Sequence, residues 1–206
     1  MINEEIDKFQ KRYLDHQKHK KKQLMNTRGE TIKINNKNMK KEYLDLLKNR
    51  RSQRIFNAEE ITPEEMDYIL NCLIESPSSC NRQAISIKII EDRDSKELLG
   101  GLLVGGVGWC HMAKKIILLF TNTEAYKEKL EYMPYLDSGV LVLNTYLACE
   151  SLSIGCCFIN PNIREENQTI FKNKFGKKTF CGALAIGHYN KKSLYSPKIK
   201  KEEILL

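Results

Sequence analysis

The sequence predicts an α+β fold, because strand-like and helix-like segments both occur without the regular alternation that builds a doubly wound parallel sheet. Short apolar runs, ISIKII at 85–90 and KIILLFT at 115–121, predict buried strands. Apolar residues at helical spacing predict amphipathic helices before and after them. A chain of 206 residues is long enough for one domain with a sizeable core and an appendage.

Helices are predicted at 39–49, 63–75, 94–103, 134–153 and 163–173, and strands at 85–90, 115–121, 156–160 and 180–188. The helix at 63–75 has the clearest start, because Thr62 can cap it, Pro63 suits its first position and Glu65 can complete a capping box. A glycine-rich loop is predicted at 100–109, and the basic tail at 189–206 is predicted to be extended.

The helix at 134–153 is the longest of the predicted elements. Its apolar pattern predicts that one stripe faces inward: Leu136, Val140, Leu143, Leu147, Ser151 and Leu152. Gly155 follows the helix and is expected to end it in the left-handed conformation.

The net positive charge of the chain comes from its first quarter. Residues 1–54 hold 16 Lys and Arg against 7 Asp and Glu, whereas residues 55–206 hold 18 against 19. Within this region Ile2, Ile6, Phe9 and Tyr13 recur at helical spacing. We therefore predict a basic N-terminal extension at 1–38, a helix plus a linker, before a domain at 39–206.

The extension has three possible roles: a nucleic-acid arm, a contact with anionic lipid, or a solvated tail that supplies phosphate ligands. Aromatic residues are not interleaved with the lysines, as a single-strand binding platform would require. We therefore expect no specific binding of nucleic acid.

Several classes of protein are disfavoured by pattern alone. No apolar run approaches the roughly 18 residues of a membrane span, and the first residues resemble no secretory leader, so we expect a cytoplasmic protein without membrane contact. The seven irregularly spaced cysteines are interpreted as reduced thiols that fill the core. No Ser-His-Asp, paired-carboxylate or metal-ligand pattern appears, so we predict neither a metal site nor a catalytic side chain.

Three separated segments carry the chemical signal. RRSQRIF at 50–56 places three arginines and a serine where an anion could bind, because guanidinium groups hold phosphate through two parallel hydrogen bonds. SPSSCNRQ at 76–83 is a polar turn between a predicted helix and strand. SLSIGCCFI at 151–159 is a helix end followed by a short strand. Each segment alone also fits an ordinary surface loop or element end.

In this order and at these distances, the segments resemble the motifs of the nitroreductase family over residues 40–206. The closing strand and tail, LAIGHYNKKSLYSPKIK at 184–200, extend the likeness. The resemblance implies a nitroreductase-like three-layer α/β/α sandwich around a central mixed, mainly antiparallel sheet. It also implies an intertwined homodimer with two FMN sites at the interface.

The resemblance implies a role for individual residues. Arg50 and Ser52 would hold the FMN phosphate, with help from Lys198 or Lys200. Arg51, between them, belongs to the same cofactor-binding run. Arg54 would lie near the pyrimidine edge of the flavin. The partner subunit would contribute Pro77, Ser78, Ser79 and Asn81. Asn160 would sit beside the flavin N5, and the loop at 105–111 would border the ring.

The function implied is that of an FMN-dependent NAD(P)H oxidoreductase, which passes hydride from NADH or NADPH to a small acceptor such as a nitroaromatic or a quinone. No general base is needed if hydride moves directly between stacked rings. Two alternatives remain: an FMN enzyme with a specialised biosynthetic substrate, and a non-catalytic module that binds flavin or associates with nucleic acid.

Overall fold

The computed structural model describes residues 39–126 and 130–205, with side chains from Lys41 onward. Chain contacts separate Met1–Lys40 from a compact unit at Lys41–Leu206. The predicted extension at 1–38, including its short helix, lies outside the described residues, so both the extension and its boundary stay predictions.

The described helices and strands follow the predicted order closely. The helices are α1 (Met39–Asn49), α2 (Pro63–Ile74), α3 (Arg93–Leu102), α4 (Met133–Ser151), α5 (Gln168–Phe175) and α6 (Lys201–Ile204). The strands are β1 (Ile85–Ile90), β2 (Lys115–Thr121), β3 (Gly155–Ile159) and β4 (Thr179–Gly187).

The four strands form one sheet in the order β1-β2-β4-β3, and each neighbouring pair is antiparallel. A parallel bridge between Ser52 and Cys156 adds the segment after α1 to the β3 edge. The sheet is therefore mixed and mainly antiparallel.

Helices cover both faces of the sheet. Side chains alternate between the two faces along each strand, so each strand contributes side chains to both helical layers. On one face Ile117 and Leu184 pack with residues of α2 and α4. On the other, Ile116 and Leu118 pack with residues of α3 and α5. This burial on both faces explains why β2 is apolar along nearly its whole length. The predicted α+β, three-layer α/β/α arrangement is confirmed.

The start of α2 forms as its sequence predicts. Thr62 Oγ1 accepts a hydrogen bond from the Glu65 amide at 3.2 Å, and Glu65 Oε2 accepts one from the Thr62 amide at 2.9 Å. Pro63 occupies the first helical position. The two reciprocal bonds satisfy amides that have no partner within the helix, which fixes where α2 begins.

The buried face of α4 differs from the predicted stripe. Leu136 and Leu143 are 58% and 40% exposed. Apart from Pro134 and Leu141, the buried face instead carries small and polar side chains: Asp137, Ser138, Thr145, Ala148 and Cys149. Apolar residues occur on several sides of this helix, so periodicity alone did not identify the side that packs on the sheet.

The tail at 189–206, predicted to be extended, carries the short helix α6 at Lys201–Ile204. Two further details at element ends also differ from prediction. The left-handed residue after α4 is Ser153, with φ of 58°, whereas Gly155 is the first residue of β3. The helix predicted at 163–173 begins only at Gln168, because Ile163 pairs with Leu103 in an isolated antiparallel bridge. In the described part of the chain, no helix is long and apolar enough to cross a membrane.

Candidate functional site

The segment after α1 is extended and lies against the edge of β3. Ser52 pairs with Cys156, and the Gln53 amide donates to Cys156 O at 3.0 Å. In an extended chain alternate residues point to the same side. Arg50, Ser52 and Arg54 therefore share one side of the segment.

A cavity of about 740 Å³ lies beside this segment. That volume falls within the roughly 300–1,000 Å³ of small-molecule sites. The lining comprises Leu47, Lys48, Arg50, Arg51, Ser52, Arg54, Leu143, Ser193, Leu194, Tyr195, Ser196 and Lys198. Five of these described residues are cationic and none carries a carboxylate, so the cavity is suited to an anion.

Arg51 borders the cavity but is engaged by the end of α1. Its Nη1 donates to the carbonyl oxygens of Lys48, Asn49 and Arg50 at 2.6, 2.9 and 2.8 Å. Such bonds satisfy carbonyls that the last helical turn leaves open. Its Nε is buried, with no hydrogen-bond partner among the described residues. The Arg51 side chain therefore holds the helix end, and its charge adds to the cavity.

Tyr146 of α4 is a site residue that the motifs did not identify. Its hydroxyl lies 3.2 Å from Ser52 Oγ and accepts a hydrogen bond from the Phe158 amide at 2.8 Å. The Arg50 guanidinium lies over its ring, 5.1 Å from the centroid. Burial, together with the neighbouring Cys156 and Cys157 thiols, raises the pKa of Tyr146 to about 12, so it stays a neutral hydroxyl.

The C-terminal tail forms the opposite wall of the cavity. Ser193, Tyr195 and Lys198 line it, and the Arg51 guanidinium lies 4.9 Å from the centre of the Tyr195 ring. Lys200 is not among the lining residues, and it precedes the short helix α6. Of the two tail lysines predicted from the sequence, the structure brings Lys198 to the arginine segment.

The second motif is an ordered turn held by α4. Asp137 is 5% exposed, and its carboxylate accepts from the Ser79 amide at 3.0 Å and from the Tyr126 hydroxyl at 2.7 Å. The Gln83 amide donates to Ser78 Oγ at 3.0 Å. These bonds fix the turn although Cys80, Asn81 and Gln83 have φ values of 53°, 52° and 50°. Such left-handed residues persist only where their surroundings hold them.

The turn at 77–81 does not line the arginine cavity of the same chain. Both segments are anchored on α4, the turn through Asp137 and the arginine segment through Tyr146. Those two residues are nine positions apart, which corresponds to about 13 Å along a helix. Pro77 and Asn81 are exposed at the surface of the turn. One chain therefore keeps the first and second motifs apart.

The third motif meets the glycine-rich loop at 104–109. Asn160 follows β3, and its Oδ1 accepts from the Asn162 amide at 3.2 Å. The same Oδ1 would lie 3.6 Å from a Cβ added at Gly105. Trp109 Nε1 donates to Gly105 O at 3.0 Å, and the Arg54 guanidinium lies 5.7 Å from the Trp109 ring centre. Arg54 and Asn160 thus both lie next to this loop, Arg54 beside Trp109 and Asn160 beside Gly105.

Sequence comparison supports the resemblance. The nitroreductase family model matches residues 47–108. An FMN reductase (NAD(P)H) of Bacillus subtilis (strain 168) is 24% identical over 180 residues, which span 79% of this chain and 72% of the relative.

Two solved structures share the fold. A putative nitroreductase in complex with FMN from Desulfovibrio desulfuricans is 26% identical, with a TM-score of 0.67 over 79% of this chain and 94% of that one. A putative NADH oxidase from Clostridium acetobutylicum is 22% identical, with a TM-score of 0.67 over 79% and 98% of the two chains.

Proposed function

We propose that this chain, which resembles the nitroreductase family in sequence and fold, is an NAD(P)H-dependent flavin oxidoreductase that binds FMN. One observation carries the proposal: five cationic side chains from two distant parts of the chain line a cavity of about 740 Å³ beside the family motif. The donor set fits FMN, because guanidinium, ammonium and hydroxyl groups are the usual ligands of a phosphate ester.

In this proposal Arg50, Ser52 and Lys198 hold the phosphate. Ser52 is oriented by Tyr146, and Arg50 is fixed over the Tyr146 ring, so both groups are in place before a ligand enters. A site arranged beforehand loses less conformational freedom on binding. Arg51 contributes charge without a direct bond, since its Nη1 is committed to the end of α1.

Arg54 and Asn160 orient the ring system. Bound FMN supplies the redox chemistry, which takes hydride from the nicotinamide and passes it to a small acceptor. Arg54 carries a permanent positive charge and would favour the reduced flavin electrostatically, since reduction adds negative charge to the ring system. The loop at 104–109 forms the wall that an acceptor would meet, with Trp109 at its end.

We propose a homodimer as the working assembly. The exposed apolar side chains of Leu136 and Leu143 on α4 would gain from burial against a second copy. The exposed residues of the turn, Pro77 and Asn81, would then reach the arginine cavity of the partner across a two-fold interface. This arrangement brings together the two motifs that a single chain keeps apart.

The absorption spectrum of the purified protein tests the proposal. We expect a yellow protein that releases FMN on denaturation and whose visible bands bleach when NADH or NADPH is added without oxygen. A nitroaromatic or a quinone added afterwards should restore the bands. A colourless protein that also fails to bind added FMN would overturn the proposed function.

A further inference from the structure

The side chain of Gln53 is buried between the arginine segment and the tail. It is 2% exposed, and it does not line the cavity. From the structure we infer that Gln53 is a positioning residue, whose carboxamide ties the tail strap (residues 190–198) to the arginine segment and so brings Lys198 to the phosphate side of the cavity. This inference rests on the proposed function, because it concerns how the FMN phosphate is held.

The carboxamide of Gln53 uses its full capacity for hydrogen bonds. Nε2 donates to Ile55 O at 2.8 Å and to Lys191 O at 3.1 Å. Oε1 accepts from the Ser193 amide at 2.9 Å and from Ser193 Oγ at 2.8 Å. A primary amide offers two donors and two acceptor lone pairs, and all four are occupied here. Three of these bonds cross to the strap, and the fourth stays within the arginine segment.

This pattern requires an amide. A carboxylate in the same place would direct an acceptor at two carbonyl oxygens and would bury a charge. An apolar side chain would remove all three bonds to the strap, so the carbonyl of Lys191 and the amide of Ser193 would lose the partners that join them to the arginine segment. Glutamine is therefore the residue that can join the two backbones in this geometry.

Gly155 packs directly against the side chain of Gln53. A Cβ added at Gly155 would lie 2.6 Å from Gln53 Cγ, far inside van der Waals contact. Gly155 thus allows the side chain to pass beside the first residue of β3 and reach the strap. This contact, rather than a left-handed conformation, accounts for the glycine at this position.

The walls of the cavity come from two segments that lie far apart in the sequence. Gln53 is 138 residues from Lys191 and 140 residues from Ser193. Arg50 and Ser52 belong to one wall and Lys198 to the other. If the tether is lost, Lys198 is no longer held beside the other phosphate ligands. Affinity for FMN should then fall, although no atom of Gln53 contacts the ligand.

The test compares Gln53→Met with the wild type and with Asn57→Ala. Asn57 also links these segments, since its Nδ2 donates to Asn190 Oδ1 at 2.9 Å, but that bond is exposed and neither residue lines the cavity. We expect Gln53→Met to weaken FMN binding about tenfold or more, the loss associated with one charge-assisted contact. Binding of riboflavin, which lacks the phosphate, should change little. Asn57→Ala should resemble the wild type in both measurements.

A double variant separates positioning from general loss of structure. If Gln53 acts through the strap, adding Lys198→Ala to Gln53→Met should weaken FMN binding little further, because Lys198 is already displaced. Additive losses, or wild-type affinity in Gln53→Met, would overturn the inference while leaving the proposed function intact. If Gln53→Met does not fold, Gln53→Asn keeps a neutral amide that is one methylene too short to reach the strap, and it carries the same expectations.

Limited trypsin digestion without flavin gives a readout that is independent of FMN. Gln53→Met should be cut faster than the wild type after the strap lysines, Lys191 and Lys192, while Asn57→Ala is cut at nearly the wild-type rate. Equal rates in all three proteins would overturn the tether. Failure of the wild type to bind FMN would instead overturn the proposed function, and with it the role of the strap in holding the phosphate.

Discussion

Tyr146 and Ser52 are 94 residues apart in the sequence, and their hydroxyl oxygens lie 3.2 Å apart. The Tyr146 hydroxyl also accepts from the Phe158 amide, so one phenol joins α4, β3 and the arginine segment. The three secondary-structure segments around the proposed phosphate site therefore meet at a single oxygen atom.

Replacing Tyr146 with phenylalanine tests this junction. Tyr146→Phe leaves the Phe158 amide without its partner, so we expect a loss of about 1–3 kcal/mol in the free energy of unfolding. FMN affinity should fall modestly, because Ser52 loses a partner while the ring beneath Arg50 remains. Urea denaturation and flavin titration would measure the two effects. The exposed Tyr43→Phe on α1 is the control, and equal stabilities of the two variants would contradict the junction.

Arg50 and Arg51 are adjacent, but we expect their substitution by alanine to have different effects. Arg50→Ala should weaken FMN binding about tenfold or more with little loss of stability, as should Lys198→Ala, because each removes a charge-assisted phosphate contact. Arg51→Ala should chiefly lower the free energy of unfolding, because three carbonyls at the end of α1 lose their donor. Flavin titration and urea denaturation of all three variants would check this contrast, which a reversed pattern would refute.

Trp109 is the single tryptophan of the chain and lies beside Arg54. If Arg54 approaches the flavin ring, bound FMN should strongly quench the intrinsic tryptophan fluorescence. Titration of flavin-free protein with FMN would follow the quenching, with Trp109→Phe to subtract the tyrosine signal. FMN that binds without changing the emission would place the ring away from Arg54.

Glu65 is expected to make stability depend on acid pH. Burial raises its pKa, but hydrogen bonds from Thr62 and the interaction with His188 at 3.3 Å outweigh this, and the net pKa is lowered from 4.5. A carboxyl whose pKa is lower in the folded protein stabilises it above the unfolded value, and that contribution is lost as pH falls through the folded value.

Glu65→Gln should therefore reduce the free energy of unfolding near neutral pH and flatten its decline below about pH 4.5. Denaturation at a series of pH values would show this. Glu64→Gln, at an exposed position in the same helical turn, is the matched control. Parallel pH curves for the wild type and Glu65→Gln would exclude the effect.

Mixed dimers test the sharing of sites between subunits. If each site takes these two residues from different chains, Arg50→Ala and Asn81→Ala should each lose most of their reductase activity as pure dimers when FMN is limiting. After co-refolding, a heterodimer would contain one site with both defects and one intact site, so reductase activity should partly return. No recovery, or a monomeric mass with full FMN occupancy, would exclude shared sites.

The fold was largely predictable because local signals agreed with it. The strands at 85–90 and 115–121 and the helix at 39–49 have the predicted bounds, and the capping box fixed the start of α2. The inward face of α4 was not predictable, since Asp137 is buried through its bonds to Ser79 and Tyr126. Such partners are determined by the tertiary structure and are not visible in periodicity.

The candidate site was predictable in part. Arg50, Ser52, Arg54 and Lys198 line one cavity as the motifs suggested, although their contact with FMN stays a prediction. Tyr146 and Gln53 were missed, because each acts through contacts more than 90 residues away in the sequence. The glutamine within RRSQR was the available signal: a polar residue whose alternate position points it away from Arg50 and Arg54.

Five cations around one cavity have a consequence for folding itself. Without an anion between them these charges repel one another, so the flavin-free protein folds against an electrostatic cost that a bound phosphate removes. Ligand binding then stabilises the native state by RT ln(1 + [L]/Kd), which makes cofactor loading and folding a linked pair of equilibria. In a cell that is short of flavin, a larger fraction of this protein would be unfolded. The steady-state abundance of the protein would then follow the supply of cofactor.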